Sequence, residues 1–212
     1  MFQTGFLWML LAAGGYGLLH SWLASHALKG WVEARLGILA RRFYRLSYVF
    51  LSALTLLPLA LLGRLLPDGP LYQFSFPWLL LAFGLQAVAA FGLLVAVSQT
   101  GTLSFLGLSQ ISQPEALLPA PASPEPDAPG RIGPKLVTVG LYRFVRHPIY
   151  SFSLLALWCT PLVSWNTLAL LVGFTIYLLV GSLVEERKLV CEFGDAYRAY
   201  RRRTPMLLPR IW

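Results

Sequence analysis

Residues 77–97 read PWLLLAFGLQAVAAFGLLVAV, a run of 21 residues with no charge and one amide, Gln86. At about 1.5 Å of rise per residue such a run makes a helix of about 30 Å, the thickness of a bilayer's hydrocarbon core. Water-free lipid forces every backbone N–H and C=O to find a partner inside its own segment, so the run is a spanning helix. Working outward, comparable apolar blocks cover Gly5–Ala24, Leu46–Leu66 and Asn166–Val184, and a shorter one covers Ile149–Val163. The expected fold is all-α: a polytopic integral membrane protein of about five transmembrane helices. The last two should form a helical hairpin across Ser164-Trp165, followed by a cytoplasmic tail. The short fourth block must tilt little or thin the membrane locally; a hairpin that does not fully cross is the alternative.

Composition agrees. Of 212 residues, 57% are hydrophobic and 12% charged, about half the charged share of a soluble domain. A soluble Rossmann enzyme, a disordered chain and a secreted disulfide scaffold are excluded or disfavoured. Only two cysteines are present, and Cys159 and Cys191 should lie at different levels and stay unpaired. The net charge of +8 would raise nucleic acid in a soluble protein, but the cations sit between the apolar blocks. Lys29, Arg35, Arg41, Arg42 and Arg45 follow the first block; Arg131, Lys135, Arg143 and Arg146 precede the fourth; the tail from Glu185 holds seven more. The intervening loops are nearly free of cations. This alternation predicts the N-terminus outside and the C-terminus in the cytoplasm. The expected location is a bacterial inner membrane, with no nucleic-acid partner. The first block lacks a basic n-region and a clean cleavage site, so it reads as a retained helix.

Three regions follow: a three-helix membrane region over 1–100, a cytoplasmic linker over 101–135, and a C-terminal region over 136–212. The linker reading rests on seven prolines between Pro114 and Pro134, too many for a helix and with too little apolar material to pack.

Polar clusters mark the chemistry, because charge at a membrane is costly. They are Tyr142-Arg143-x-x-Arg146-His147-Pro148-x-Tyr150, then Glu185-Glu186, then Phe193-Gly194-x-x-Tyr197-x-x-Tyr200-Arg201. Pro148 suits the first turn of a helix. Two acids at the C-terminal end of a span oppose the helix dipole and need a cationic partner; Arg146, Arg143 or a ligand would serve. The short hairpin returns the first two clusters to one membrane face. Together they read as a site for a zwitterionic or cationic small molecule. Gly14-Gly15-Tyr16-Gly17 lies inside a span with no preceding strand, so it reads as close helix packing rather than a phosphate loop. No His/Cys cluster has metal spacing.

With Glu185-Glu186-x-x-Leu189 about 34 residues after Tyr150 and a final Pro205-x-x-x-Pro209, the pattern over Leu136–Trp212 resembles the isoprenylcysteine carboxyl methyltransferase superfamily, most of all its methanethiol S-methyltransferase group. Leu19-His20-Ser21 is also similar to NnrU-like proteins. The resemblance implies an S-adenosylmethionine cofactor in a cytoplasm-facing pocket and a small-molecule or lipophilic methyl acceptor beside membrane lipid. It carries over Arg146, His147, Pro148, Tyr150, Glu185, Glu186, Tyr197, Tyr200 and Arg201 as cofactor-binding. A thiol acceptor must lose its proton, and the candidate base is His147 or a glutamate of the Glu185-Glu186 pair, Glu186 before Glu185. Phe144, Phe152, Leu154, Leu155 and Trp158 are expected to fill the space that a prenyl tail would need. The alternatives are carboxyl methylation of a prenylcysteine-like substrate and a haem-binding NnrU-like isomerase or redox protein, with His20 or His26 as ligand. A transporter would want polar residues in mid-span, and these are scarce.

Overall fold

The structure is a computed structural model and describes residues 4–112 and 136–209. Among these residues, nine helices and two short strands run in the order α1 (Thr4–Leu23), α2 (His26–Leu36), α3 (Ile38–Leu54), α4 (Leu56–Leu65), β1 (Pro70–Gln73), α5 (Trp78–Thr100), α6 (Thr102–Leu106), α7 (Leu108–Ser112), α8 (Pro148–Trp158), β2 (Leu162–Ser164) and α9 (Trp165–Arg203). A 3₁₀ turn at Gly140–Arg143 precedes α8. Among the described residues, four helical stretches are long and apolar enough to cross a membrane: Gly5–Leu23, Ile38–Leu65, Trp78–Thr100 and Trp165–Arg203. The protein is an all-α polytopic membrane protein. The expected count of five becomes four long spans and one short helix, since α8 has 11 residues, only about 16 Å of helix.

The short helix is bounded at both ends by identifiable residues. Pro148 occupies its first turn, where a missing N–H costs nothing. Pro161 lies just beyond its end, and the chain continues as β2, which pairs antiparallel with β1 in the register Tyr72↔Val163 and Gln73↔Leu162. The expected tight helical hairpin is therefore widened by a strand. Asp68 ties this end together: its Oδ1 accepts from the backbone N–H of Gly69 at 2.8 Å and of Asn166 at 3.1 Å.

The opposite end gathers the basic segments. The stretch before Leu46 is not a loop; it forms α2 and the first turns of α3. Tyr44 Oη donates to the Leu23 carbonyl at 2.6 Å, and Arg45 Nε to that of Phe105 at 2.9 Å. Gln99 Oε1 accepts from the Leu141 N–H at 3.0 Å. Residues 102–112, expected in the linker, form α6 and α7 against α3. The proline-rich segment from Gln113 to Pro134 lies outside the described residues.

Packing follows membrane rules. The buried residues of α5 are Ala82, Ala89, Gly92 and Ala96, small side chains that let a neighbour approach, while Leu80, Phe83, Phe91 and Leu94 point outward and are more than half exposed. Outward apolar residues face lipid, which is as apolar as they are. Phe152 of α8 lies against Gly92, and Tyr177 of α9 against Gly17 of α1. Of the glycine run in α1, only Gly17 makes the expected close approach; Gly14 and Gly15 face open space.

Candidate active site

The site forms where α8 begins, where α9 passes its twentieth residue, and where the C-terminal strap returns. The strap is held by backbone bonds. The N–H of Arg146 donates to the Pro205 carbonyl at 2.9 Å and that of His147 to Met206 at 3.1 Å. Ser151 Oγ donates to the Leu207 carbonyl at 2.6 Å. Thr204-Pro205-Met206-Leu207 is thus a backbone scaffold for Arg146 and His147.

The tail expected after the last span is instead a continuation of α9, broken at Gly194, where φ is 55° and ψ −126°. A side chain resists that backbone region, and glycine enters it freely. The break folds residues 195–203 back on the helix. Tyr197 Oη consequently reaches Glu186 Oε1 at 3.3 Å, and Tyr200 Oη donates to the Tyr142 carbonyl at 2.5 Å.

The two adjacent acids have different surroundings. Glu186 is buried, with 6% of its side chain exposed, and is surrounded. Arg146 Nε and Nη2 both lie 2.5 Å from its Oε1; His147 Nε2 is 3.3 Å away; Arg201 Nε lies 3.4 Å from Oε2. The remaining Nη1 of Arg146 donates to the carbonyls of Arg201 and Thr204. Every nitrogen of the guanidinium is therefore used within the protein. Glu185 has 45% of its side chain exposed; its Oε2 lies 3.7 Å from His147 Nδ1, and its carboxylate interacts with the Tyr150 hydroxyl.

Beside Glu185 lies a cavity of about 160 Å³ lined by Thr100, Leu136, Val137, Tyr142, Arg146, His147, Ile149, Tyr150, Glu185, Leu189, Phe193, Tyr197 and Tyr200. Six of the nine residues carried over as cofactor-binding line it: Arg146, His147, Tyr150, Glu185, Tyr197 and Tyr200. Three do not: Pro148 is buried in the helix start, Glu186 lies behind Arg146, and Arg201 reaches Glu186 from outside. Leu189 and Phe193 were legible as the next turns of the Glu185 face. Thr100, Leu136 and Val137 belong to no motif and come in through folding alone. None of Phe144, Phe152, Leu154, Leu155 and Trp158 lines the cavity. Phe152 turns to α5, and Trp158 donates from Nε1 to Thr175 Oγ1 at 3.0 Å.

Burial lowers the pKa of His147, against the pull of Glu185 and Glu186, which raise it, and with a further lowering by Arg146. The imidazole is neutral at physiological pH. Burial, with Glu185 and Tyr200 adding to it, pushes the Tyr142 hydroxyl up to about 12. The cavity thus combines one accessible carboxylate, neutral aromatic rings and a neutral imidazole. Such a lining suits a cation that also carries a flat ring system. Among the described residues, no group of three His, Cys, Asp or Glu gathers to hold a metal.

Comparison with known proteins decides the class. The pattern of the phospholipid methyltransferase family matches residues 126–196. Methanethiol S-methyltransferase 2 of Bradyrhizobium diazoefficiens is 34% identical over 96% of this chain and 73% of its own length. The chain belongs to the methanethiol S-methyltransferase family. Methanethiol S-methyltransferase 1 of the same organism is 32% identical, covering 94% of this chain but only 65% of itself. A protein-S-isoprenylcysteine O-methyltransferase of Schizosaccharomyces pombe is 33% identical over 55% of this chain and 51% of its own length. No solved structure gives a significant match. This family member is a membrane methyltransferase. Its class implies a methyl donor of the S-adenosylmethionine type and a small-molecule acceptor.

Proposed function

We propose that the chain transfers a methyl group from S-adenosylmethionine to a small thiol such as methanethiol, at the cavity beside Glu185. The observation that carries the reading is the division of the acidic pair: Glu186 is spent on Arg146 and Arg201, while Glu185 presents a half-exposed carboxylate to an aromatic-lined cavity. When bound there, the sulfonium cofactor supplies an electrophilic methyl group. Glu185 holds its positive charge, Tyr142, Tyr150, Phe193 and Tyr200 offer ring faces and edges, and His147 orients Glu185. Arg146 and Glu186 brace the walls. Positioning of this kind supplies much of the rate of an in-line displacement.

Glu186 lies among two guanidiniums and a phenol, and both ring nitrogens of His147 are directed at carboxylates. In this reading Glu186 and His147 hold the site together, and Glu185 is given to the cofactor's positive charge. The acceptor's proton needs another destination.

The basic end is assigned to the cytoplasm, with the N-terminus outside, in a bacterial inner membrane; membrane lipid surrounds the spans. A second reading, carboxyl methylation of a prenylcysteine-like substrate, is favoured by one observation: the five bulky residues expected to close off a prenyl tail stand away from the cavity. Haem ligation by His20 is disfavoured, because both its ring nitrogens bond to phenols.

The test supplies labelled cofactor with either methanethiol or a prenylcysteine analogue, across pH. Thiol transfer that rises with pH toward a plateau is expected, since free thiols ionise near or above about 8.5. Transfer to the prenylcysteine alone, flat above neutrality, would replace the first reading by the second.

A further inference from the structure

A polar cluster stands one step deeper in the bundle than the cavity, and nothing in the site described above uses it. His20 of α1 contacts two phenols: Nδ1 is 2.5 Å from Tyr177 Oη of α9, and Tyr48 Oη of α3 is 2.7 Å from Nε2 and 3.1 Å from Nδ1. Tyr16 flanks the imidazole with ring centroids 5.7 Å apart, and its hydroxyl donates to the Ser52 carbonyl at 3.3 Å. Ser52, one turn beyond Tyr48, sets its buried Oγ beside the Tyr48 hydroxyl.

The cluster is connected to the cavity. Tyr177, Gly181 and Glu185 follow one another at i, i+4, i+8 on α9, so they share a face. Tyr150, a cavity residue, lies across Gly181, where an added Cβ would come within 3.6 Å of its hydroxyl. Its hydroxyl interacts with Glu185 on one side and has Tyr177 and Tyr48 as neighbours on the other. From Glu185 to Tyr177 is two helical turns, about 12 Å, with the Tyr150 hydroxyl between.

We propose that His20, Tyr48 and Tyr177 form the acceptor end of the active site, binding a small thiol between themselves and Tyr150 and taking its proton. The inference rests on the thiol reading given above. A neutral imidazole donates from one nitrogen and accepts at the other, so one phenol donates to His20 and the second accepts from it. The thiol S–H donates to the oxygen of the first phenol, and that phenol's own proton moves to the imidazole. His20 becomes imidazolium, with the second phenol accepting its other N–H. The thiolate sulfur bonds to the methyl carbon, and the electron pair of the broken C–S bond stays on the donor's sulfur, which ends neutral. The imidazolium loses its proton before the next turnover. The titratable groups facing His20 are Tyr16 from α1, Tyr48 from α3, Tyr177 from α9 and, through Tyr177, Tyr150 from α8; Arg45, one turn below Tyr48, is the nearest charge on α3.

The test compares wild type with His20→Gln, Tyr48→Phe and Tyr177→Phe. Three quantities are measured: S-adenosylmethionine affinity, methanethiol binding to donor-free protein by saturation-transfer NMR, and methyl transfer to methanethiol from pH 6 to pH 10. Cofactor affinity should stay within about threefold, which shows that the variants are folded. Methanethiol binding should weaken. Turnover near pH 7 should fall by roughly a hundredfold in His20→Gln, the low end for a lost proton acceptor, and the deficit should shrink toward pH 10 as the thiol ionises unaided. Variants that match wild type, or that lose the same factor at every pH, overturn the proposal while wild-type transfer keeps the thiol reading standing. Wild type inactive on methanethiol overturns both.

Discussion

Arg146 and Glu186, forty residues apart in sequence, meet in a buried ion pair with both guanidinium contacts at 2.5 Å. The pair connects the start of α8, the middle of α9 and, through the Thr204 carbonyl, the strap. Removing one partner of such a pair leaves the other charged in a dry place, at a cost of about 3–5 kcal/mol. Glu186→Gln should therefore lower thermal stability in detergent, whereas Glu185→Gln should leave it almost unchanged. Thermal unfolding of the two variants side by side checks this; equal stability would show that Glu186 is not the brace.

Acid should loosen the same region. The folded-state pKa of His147 is lowered by burial, outweighing Glu185 and Glu186. A lowered value means that the folded form resists protonation. The stability it contributes is present above the unfolded value of about 6.5 and is lost as pH falls through the folded value. The melting temperature should decline below about pH 6.5, and His147→Gln should flatten that decline. An unchanged acid limb in the variant would place the titrating group elsewhere.

The turn at Gly194 has no neighbour within 4 Å of an added Cβ, so a substitution there acts through the backbone alone. Gly194→Ala must place an L-residue at φ 55°, ψ −126°, a region costing about 1–3 kcal/mol. Because this turn brings Tyr197 and Tyr200 to the cavity, cofactor affinity should fall together with stability. Wild-type affinity in Gly194→Ala would mean that the return of residues 195–203 does not shape the site.

The glycines of α1 should separate cleanly. An added methyl at Gly17 would lie 2.9 Å from a Tyr177 ring carbon, while Gly14 and Gly15 face open space. Gly17→Ala should cost about 1–3 kcal/mol through overpacking, and Gly14→Ala nothing or a slight gain from helix propensity. Thermal unfolding again decides, and a costly Gly14→Ala would show a neighbour on that face.

Much of this architecture is legible in the sequence because lipid leaves few choices. An uncharged run such as residues 77–97 has one available structure, and the alternation of basic and neutral loops orders the rest. The Arg146-His147 and Glu185-Glu186 clusters are readable as neighbours because the hairpin between them is short. Other features depend on distances that no local pattern encodes. The division of labour between Glu185 and Glu186 follows from which of two consecutive α9 residues faces Arg146. The return of Tyr197 depends on one glycine whose φ could not be read in advance. His20 carried no motif that pointed to Tyr48 and Tyr177, since its partners are 28 and 157 residues away.

The most direct test of the central claim, that the accessible carboxylate of Glu185 receives a cationic methyl donor, is calorimetry of S-adenosylmethionine with wild type and Glu185→Gln, using Glu33→Gln on α2 as control. A charge-assisted contact of roughly 1.5–3 kcal/mol corresponds to about ten- to a hundredfold in affinity. Glu185→Gln should bind that much more weakly, with the control equal to wild type. Equal affinity in all three proteins would contradict the assignment of the cofactor to this cavity.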